Sequence, residues 1–127
     1  PTGIYGVARP VENSKWFNLI RDVRDGKTVE VTRGGKEVHV ADVGKSIRLL
    51  LSADGVRGQA YSCCDRYISQ FDVAMIAKQI CGSKGEIVGE QKRPNHEIDS
   101  SKIQKLGMTF GGQALLEQTV KQILAQV

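Results

Sequence analysis

Pro1-Thr2-Gly3-Ile4-Tyr5-Gly6, the first six residues, read as a short apolar strand that opens the chain and has no partner nearby in sequence. A domain seldom begins abruptly on a buried strand, because the backbone of such a strand must find its hydrogen-bonding neighbours elsewhere. These residues therefore raise the expectation of a chain cut from a longer one. An unpaired apolar edge would then either promote self-association or leave its expected place.

Working outward, residues 7–12, with Pro10, read as a loop. Asn13 or Ser14 is placed to cap a helix in which Trp16, Ile20 and Val23 recur at i, i+4 and i+7, and Gly26 ends it. Val29 and Val31 alternate in residues 28–32, as do Val38 and Val40 in residues 37–40. Gly34-Gly35 between them predicts a tight hairpin. Asp42 is expected to cap an amphipathic helix carrying Val43, Ile47, Leu50 and Leu51 on one stripe, ended by Asp54-Gly55. Residues 59–64 form a further strand candidate.

Ser69-x-x-Asp72 has the spacing of a capping box, with Ile68 and Val73 where a hydrophobic staple would sit. The helix it opens turns Val73, Ile76, Ala77 and Ile80 inward and stops at Gly82. Residues 86–89 give a weaker strand, 92–97 a polar loop, and 100–106 a short helix ended by Gly107. After Gly111-Gly112, a last helix gathers Leu116, Val120, Ile123, Leu124 and Val127 on one face.

The length, 127 residues, is that of one domain with a modest core, and 40% hydrophobic with 25% charged residues is ordinary for a water-soluble protein. No apolar run approaches a membrane span and no leader pattern opens the chain, which leans towards the cytoplasm. The net charge of +4 comes from 18 basic residues interspersed among 14 acidic ones, so a solvated surface is favoured over nucleic-acid binding. Cys63 and Cys64 are neighbours in a strand candidate, with side chains expected on opposite faces, and Cys81 stands near a helix end. Buried reduced thiols explain them better than metal or redox chemistry.

A search for catalytic chemistry returns almost nothing. His39 lies opposite Val38 and Val40, and His96 lies in a loop beside Glu97. Neither has a nucleophile or a second His at metal spacing, so structural roles are favoured. No glycine pair stands in the strand–G-x-G-x-x-G–helix setting that holds a pyrophosphate. No catalytic and no metal-ligating residue can be named.

The succession of motifs carries more. Residues 1–6 are followed by the Trp16 helix, His39-Val40-Ala41-Asp42-Val43, Gly58-Gln59-Ala60-Tyr61, the Ser69 helix, Asp99-Ser100-Ser101-Lys102 with Leu106-Gly107, and the final helix. In this order they resemble the C-terminal part of the NAD-dependent epimerases and dehydratases, the extended short-chain dehydrogenase/reductase family. The resemblance covers essentially the whole chain. It implies an α/β fold, with the last strands of a Rossmann-like sheet and a small α/β substrate-binding lobe, across residues 1–127. The family's Gly-rich turn and its catalytic Tyr-x-x-x-Lys pair would lie upstream, and Tyr5, Tyr61 and Tyr67 lack a Lys four positions on.

The resemblance further implies that Pro1, Thr2 and Ile4 border the nicotinamide of NAD or NADP, and that Thr2, Gly3 and Arg93 border the substrate. Two departures weaken a nucleotide-sugar assignment. Gly3 stands where family members commonly have Asn, and Gly35 where they have a diphosphate-binding Arg, with Arg33 two residues away. Another small hydroxy- or keto-substrate stays open. The implied partner is the absent Rossmann half, with no nucleic acid and no membrane. Alone, the chain is expected to be inactive and to bind no cofactor tightly. The alternative is a stand-alone binding or regulatory module.

Overall fold

The computed structural model describes all 127 residues. Five strands and five helices follow in the order β1 (Gly3–Tyr5), α1 (Phe17–Arg24), β2 (Val29–Val31), β3 (Gly34–His39), α2 (Val40–Ser52), β4 (Arg66–Ser69), α3 (Gln70–Cys81), β5 (Ile87–Gly89), α4 (Ser101–Gln104) and α5 (Gly112–Leu124). A 3-10 turn at Val11–Asn13 precedes α1. One sheet has the order β1-β3-β4, with β1 parallel and β4 antiparallel to β3. The second pairs β2 with β5 in parallel. The expected α/β class is therefore observed.

The opening strand is not displaced. Gly3, Ile4 and Tyr5 pair in register with Glu37, Val38 and His39. Tyr5 is buried, whereas Ile4, pointing to the other face, is 45% exposed. β1 is also an edge strand, so one side of its backbone has no partner strand.

The core gathers Ile20 and Val23 of α1, Val73, Ala74 and Ala77 of α3, and Leu116, Val120 and Ile123 of α5 against Tyr5, Val29, Val31 and Ile68. All of these helix positions except Ala74 are ones that the helical spacing assigns inward. Ile80 is an exception, because it lies one turn beyond the covered part of α3 and is exposed. The Ser69 box forms as expected: Ser69 Oγ accepts from the Phe71 amide and Asp72 Oδ2 from the Ser69 amide, both at 3.2 Å. Gly82 closes α3 at φ 67°.

Several local expectations are corrected. β2 and β3 form no hairpin, since each pairs with a strand distant in sequence. Gly34 and Gly35 lie inside β3 with no positive φ. Their lack of a side chain serves close approach instead: a Cβ on Gly34 would collide with the Tyr67 hydroxyl, and one on Gly35 would stand 2.9 Å from Glu37 Oε1. Residues 59–64 are not a strand; the strand starts at Arg66. Cys63 and Cys64 are nonetheless both buried. Neither Asn13 nor Ser14 caps α1, because Ser14 Oγ accepts the Ala8 amide at 2.8 Å and Trp16 occupies the N-cap position. The cap of α2 is His39 rather than Asp42.

The greatest departure is the orientation of α2. Its buried residues are Asp42 and Ser46, while Val40, Ile47 and Leu51 are 51%, 55% and 84% exposed. Ser46 Oγ lies 3.4 Å from Cys63 Sγ and from Met108 Sδ, and Asp42 Oδ2 accepts the Gly111 amide at 2.8 Å. The polar face holds the helix to the domain, while Ile47 and Leu51 of the expected apolar stripe face outward and Val43 and Leu50 are half-buried.

Candidate functional site

The sheet face that carries Gly3 and Tyr5 on β1 also carries Gly35, Glu37 and His39 on β3, by the alternation of side chains along paired strands. Between this face and the start of α1 lies a cleft of about 460 Å³. Its floor is Gly34, Gly35, Glu37 and Ile68, its wall is Lys15, Trp16 and Asn18, and Arg33 and Gln70 close one side. Glu12 and Glu37 against Lys15 and Arg33 leave the lining without net charge.

Glu37 is the unusual residue. It is 4% exposed; Lys15 Nζ donates to its Oε1 at 2.5 Å, and Oε2 has no hydrogen-bond partner. A buried carboxylate oxygen without a donor costs on the order of 1–3 kcal/mol. Gly3 makes room for it, because a Cβ there would stand 2.6 Å from Oε2. Lys15 Nζ also lies 5.5 Å from the centroid of the Trp16 ring. Trp16 has φ 66°, a left-handed conformation that costs a bulky residue about 1–3 kcal/mol. The Tyr5 ring packs 5.4 Å from it, centroid to centroid.

A second polar cluster lies at the end of the sheet. Asp42 Oδ2 and Asp65 Oδ2 accept from the consecutive Gly111 and Gly112 amides, satisfying two free donors at the start of α5 with charges that suit the helix dipole. Burial raises the Asp65 pKa above the usual carboxylate range, and Asp42 adds to the shift. Burial likewise pushes the Tyr5 hydroxyl well above its ordinary value, with Asp65 and Asp42 adding to the effect. The Tyr5 hydroxyl has no hydrogen-bond partner, and the residue packs in the core.

The residues singled out from sequence divide. Gly3 sits against Glu37 beside the cleft; Thr2, just before it, has its Oγ1 buried and unpartnered and does not line the cleft. Pro1 and Ile4 are exposed, Ile4 on the opposite face. Arg93 is exposed on the loop after β5 and borders neither this cleft nor the groove between Asp65 and His96. Arg33, off register in the sequence, does line the cleft. Lys15, Trp16 and Glu37 were not foreseen; the Gly3 and Gly35 departures were the sequence signal nearest to them.

Three helix starts offer a pyrophosphate no free amides, whereas the start of α1, beside the cleft, has no side-chain cap. The starts of α2, α3 and α5, where a pyrophosphate would seek free amides, are engaged by His39, by Ser69 with Asp72, and by Asp42 with Asp65. No group of His, Cys, Asp and Glu could hold a metal ion. No helix is long and apolar enough to cross a membrane.

No protein-family model matches the sequence, and no curated protein matches it. Solved structures do match. UDP-glucose 4-epimerase of Thermotoga maritima, solved with UDP-glucose, superposes with a TM-score of 0.70 at 18% identity, over 98% of this chain and 44% of its own. A UDP-glucuronic acid 4-epimerase mutant from Bacillus cereus, in complex with a fluorinated UDP-sugar and NAD, gives 0.73 at 15% identity, over 99% and 44%. RMD from Pseudomonas aeruginosa, complexed with NADPH, gives 0.70 at 18%, over 97% and 44%. The chain thus spans less than half the length of the structures it matches. At these identities the likeness speaks for the fold: residues 1–127 have the α/β architecture of the C-terminal region of Rossmann-type UDP-sugar epimerases.

Proposed function

We propose that this chain is the substrate-binding portion of an NAD(P)-dependent epimerase, dehydratase or related reductase acting on a sugar, with a nucleotide sugar as the preferred class. By itself it would carry out no turnover. The observation that carries the reading is the inverted burial of α2, with Asp42 and Ser46 inside and Val40, Ile47 and Leu51 outside. Such a helix is built to be covered on its outer face, and the matched structures are more than twice as long as this chain. The covering partner in this reading is a dinucleotide-binding half, meeting α2 and the free edge of β1.

NAD or NADP, when bound by that half, supplies or accepts hydride. The work left to this chain is binding and orientation. Arg33, whose guanidinium makes no ion pair here, is suited to a diphosphate at the cleft edge. Thr2 and Gly3 would border the substrate, and Pro1, Thr2 and Ile4 would border the nicotinamide. Arg93 would serve the substrate only by turning its loop towards the cleft. Trp16, the sole tryptophan, would report on occupancy by fluorescence.

The closed core of fourteen buried residues keeps a second reading in play, a stand-alone binding or regulatory module. Calorimetric titration separates the two. NAD, NADH and NADPH are expected to bind no more tightly than about millimolar, near 4 kcal/mol. UDP-glucose should perturb Trp16 emission only weakly until the other half is supplied. Micromolar affinity for a dinucleotide would overturn the proposal, and micromolar UDP-glucose binding by the chain alone would favour the module.

A further inference from the structure

A second groove, of about 280 Å³, lies between the start of β4 and the loop at residues 94–98. Lys36 and Tyr67, paired directly across β3 and β4, turn to the side of the sheet opposite Glu37, and the groove shares no residue with the cleft. The Tyr67 ring reaches across β3 over Gly34, where a Cβ would strike it, and contributes one wall. Lys36 and Arg66 are half-buried in the lining, yet neither takes part in any ion pair of the chain. Of the two acids present, Asp65 commits its Oδ2 to the Gly112 amide at the start of α5. Glu97 is exposed on the loop beside His96 and is free to turn to water.

Two partly desolvated cations without a counter-charge select a ligand that brings one. The Arg66 guanidinium offers a fork of donors, Lys36 a point charge and His96 a ring N–H, more donors than the two oxygens of a carboxylate can use. A phosphoryl group, with three acceptor oxygens, suits the whole array. The groove is smaller than the usual site for a drug-sized ligand, and Pro94 and Ile98 leave apolar wall for only a small organic group. We propose that this groove is a second binding site, for a small phosphomonoester held by Lys36 and Arg66 away from the cleft. It does not rest on the function proposed above.

Amide-resolved NMR titration at constant ionic strength tests the site, with inorganic phosphate, glycerol 2-phosphate and acetate as probes. Both phosphates should shift the amides of residues 36, 65–67 and 95–98, saturating at about millimolar concentration, and leave residues 14–19 at the start of α1 unmoved. Lys36→Gln should weaken both roughly tenfold, as should Arg66→Lys, which keeps the charge and loses the fork. Lys36→Gln alone carries the test if Arg66→Lys does not fold. Arg33→Gln, in the cleft, should change neither affinity. Phosphate shifts at residues 14–19 in place of the groove would overturn this site while leaving the proposed function standing. Losses with Arg33→Gln as large as those with Lys36→Gln, shifts by acetate equal to those by phosphate, or no saturable shift would overturn it as well.

Discussion

The imidazole of His39 accepts the Ala41 amide through Nδ1 at 3.0 Å, which is possible only while that nitrogen carries no proton. Burial lowers the His39 pKa below 6.5, with Asp42 acting in the opposite direction. A depressed folded-state pKa means that the neutral ring is the native form. Its contribution is complete above the unfolded value, near 6.5, and is lost as pH falls through the folded one. The N-cap of α2 should therefore weaken on acidification by up to about 1 kcal/mol, the usual worth of such a cap. Denaturation midpoints of the wild type and His39→Asn should diverge between pH 7 and pH 5, the variant losing less because its amide cap does not titrate. Parallel pH curves would show that the ring's cap does not matter to stability.

Among the elements, α3 depends most on a single side chain. Ser69 Oγ accepts the Phe71 amide at 3.2 Å and the Lys92 amide at 3.0 Å, so one hydroxyl both starts the helix and holds the strand-to-loop passage after β5. Asp72 completes the box and its Oδ1 also accepts from Gln91 at 2.7 Å. Ser69→Ala should destabilise the chain by roughly 1–2 kcal/mol, at the upper end for a cap because two part-buried amides lose their acceptor. The urea midpoint should fall with the slope unchanged. An unmoved midpoint would mean that water replaces the hydroxyl at both amides. The β2–β5 pair sits beside this point, and its parallel register leaves Val29 and Val31 in the core.

At the scale of the molecule, the outward stripe of α2 and the exposed Ile4 leave apolar surface in water on a chain of net charge +4. Covering about 200 Å² of such surface is worth about 5 kcal/mol, comparable to the stability of a small domain. Without the proposed partner half, a second copy is the available cover. Sedimentation over a concentration series should show self-association, and Leu51→Lys with Ile47→Lys should abolish it without lowering the melting temperature. That selective outcome follows because both side chains contribute little to the chain's own core. A wild type that stays monomeric at high concentration would refute the idea that this face needs covering.

By itself the sequence determined whatever is encoded by local spacing. The Ser69-x-x-Asp72 box, the inward faces of α1, α3 and α5, and the stop at Gly82 depend on residues within a few positions of one another, so periodicity and capping chemistry expose them. The order of motifs also carried the α/β architecture, because it reflects a succession of elements rather than any one contact. Only the tertiary structure decided the strand partners. Gly34-Gly35 has the composition of a hairpin turn, yet it lies in a strand whose neighbours are residues 3–5 and 66–69, and pairing across such distances leaves no local trace. The direction of α2 was hidden for a related reason: amphipathicity reveals that a helix has two faces, and only its surroundings decide which one is buried. The cleft followed from the strand pairing, since Lys15, Trp16 and Glu37 meet only once β3 has found its partners and the start of α1 has packed beside it.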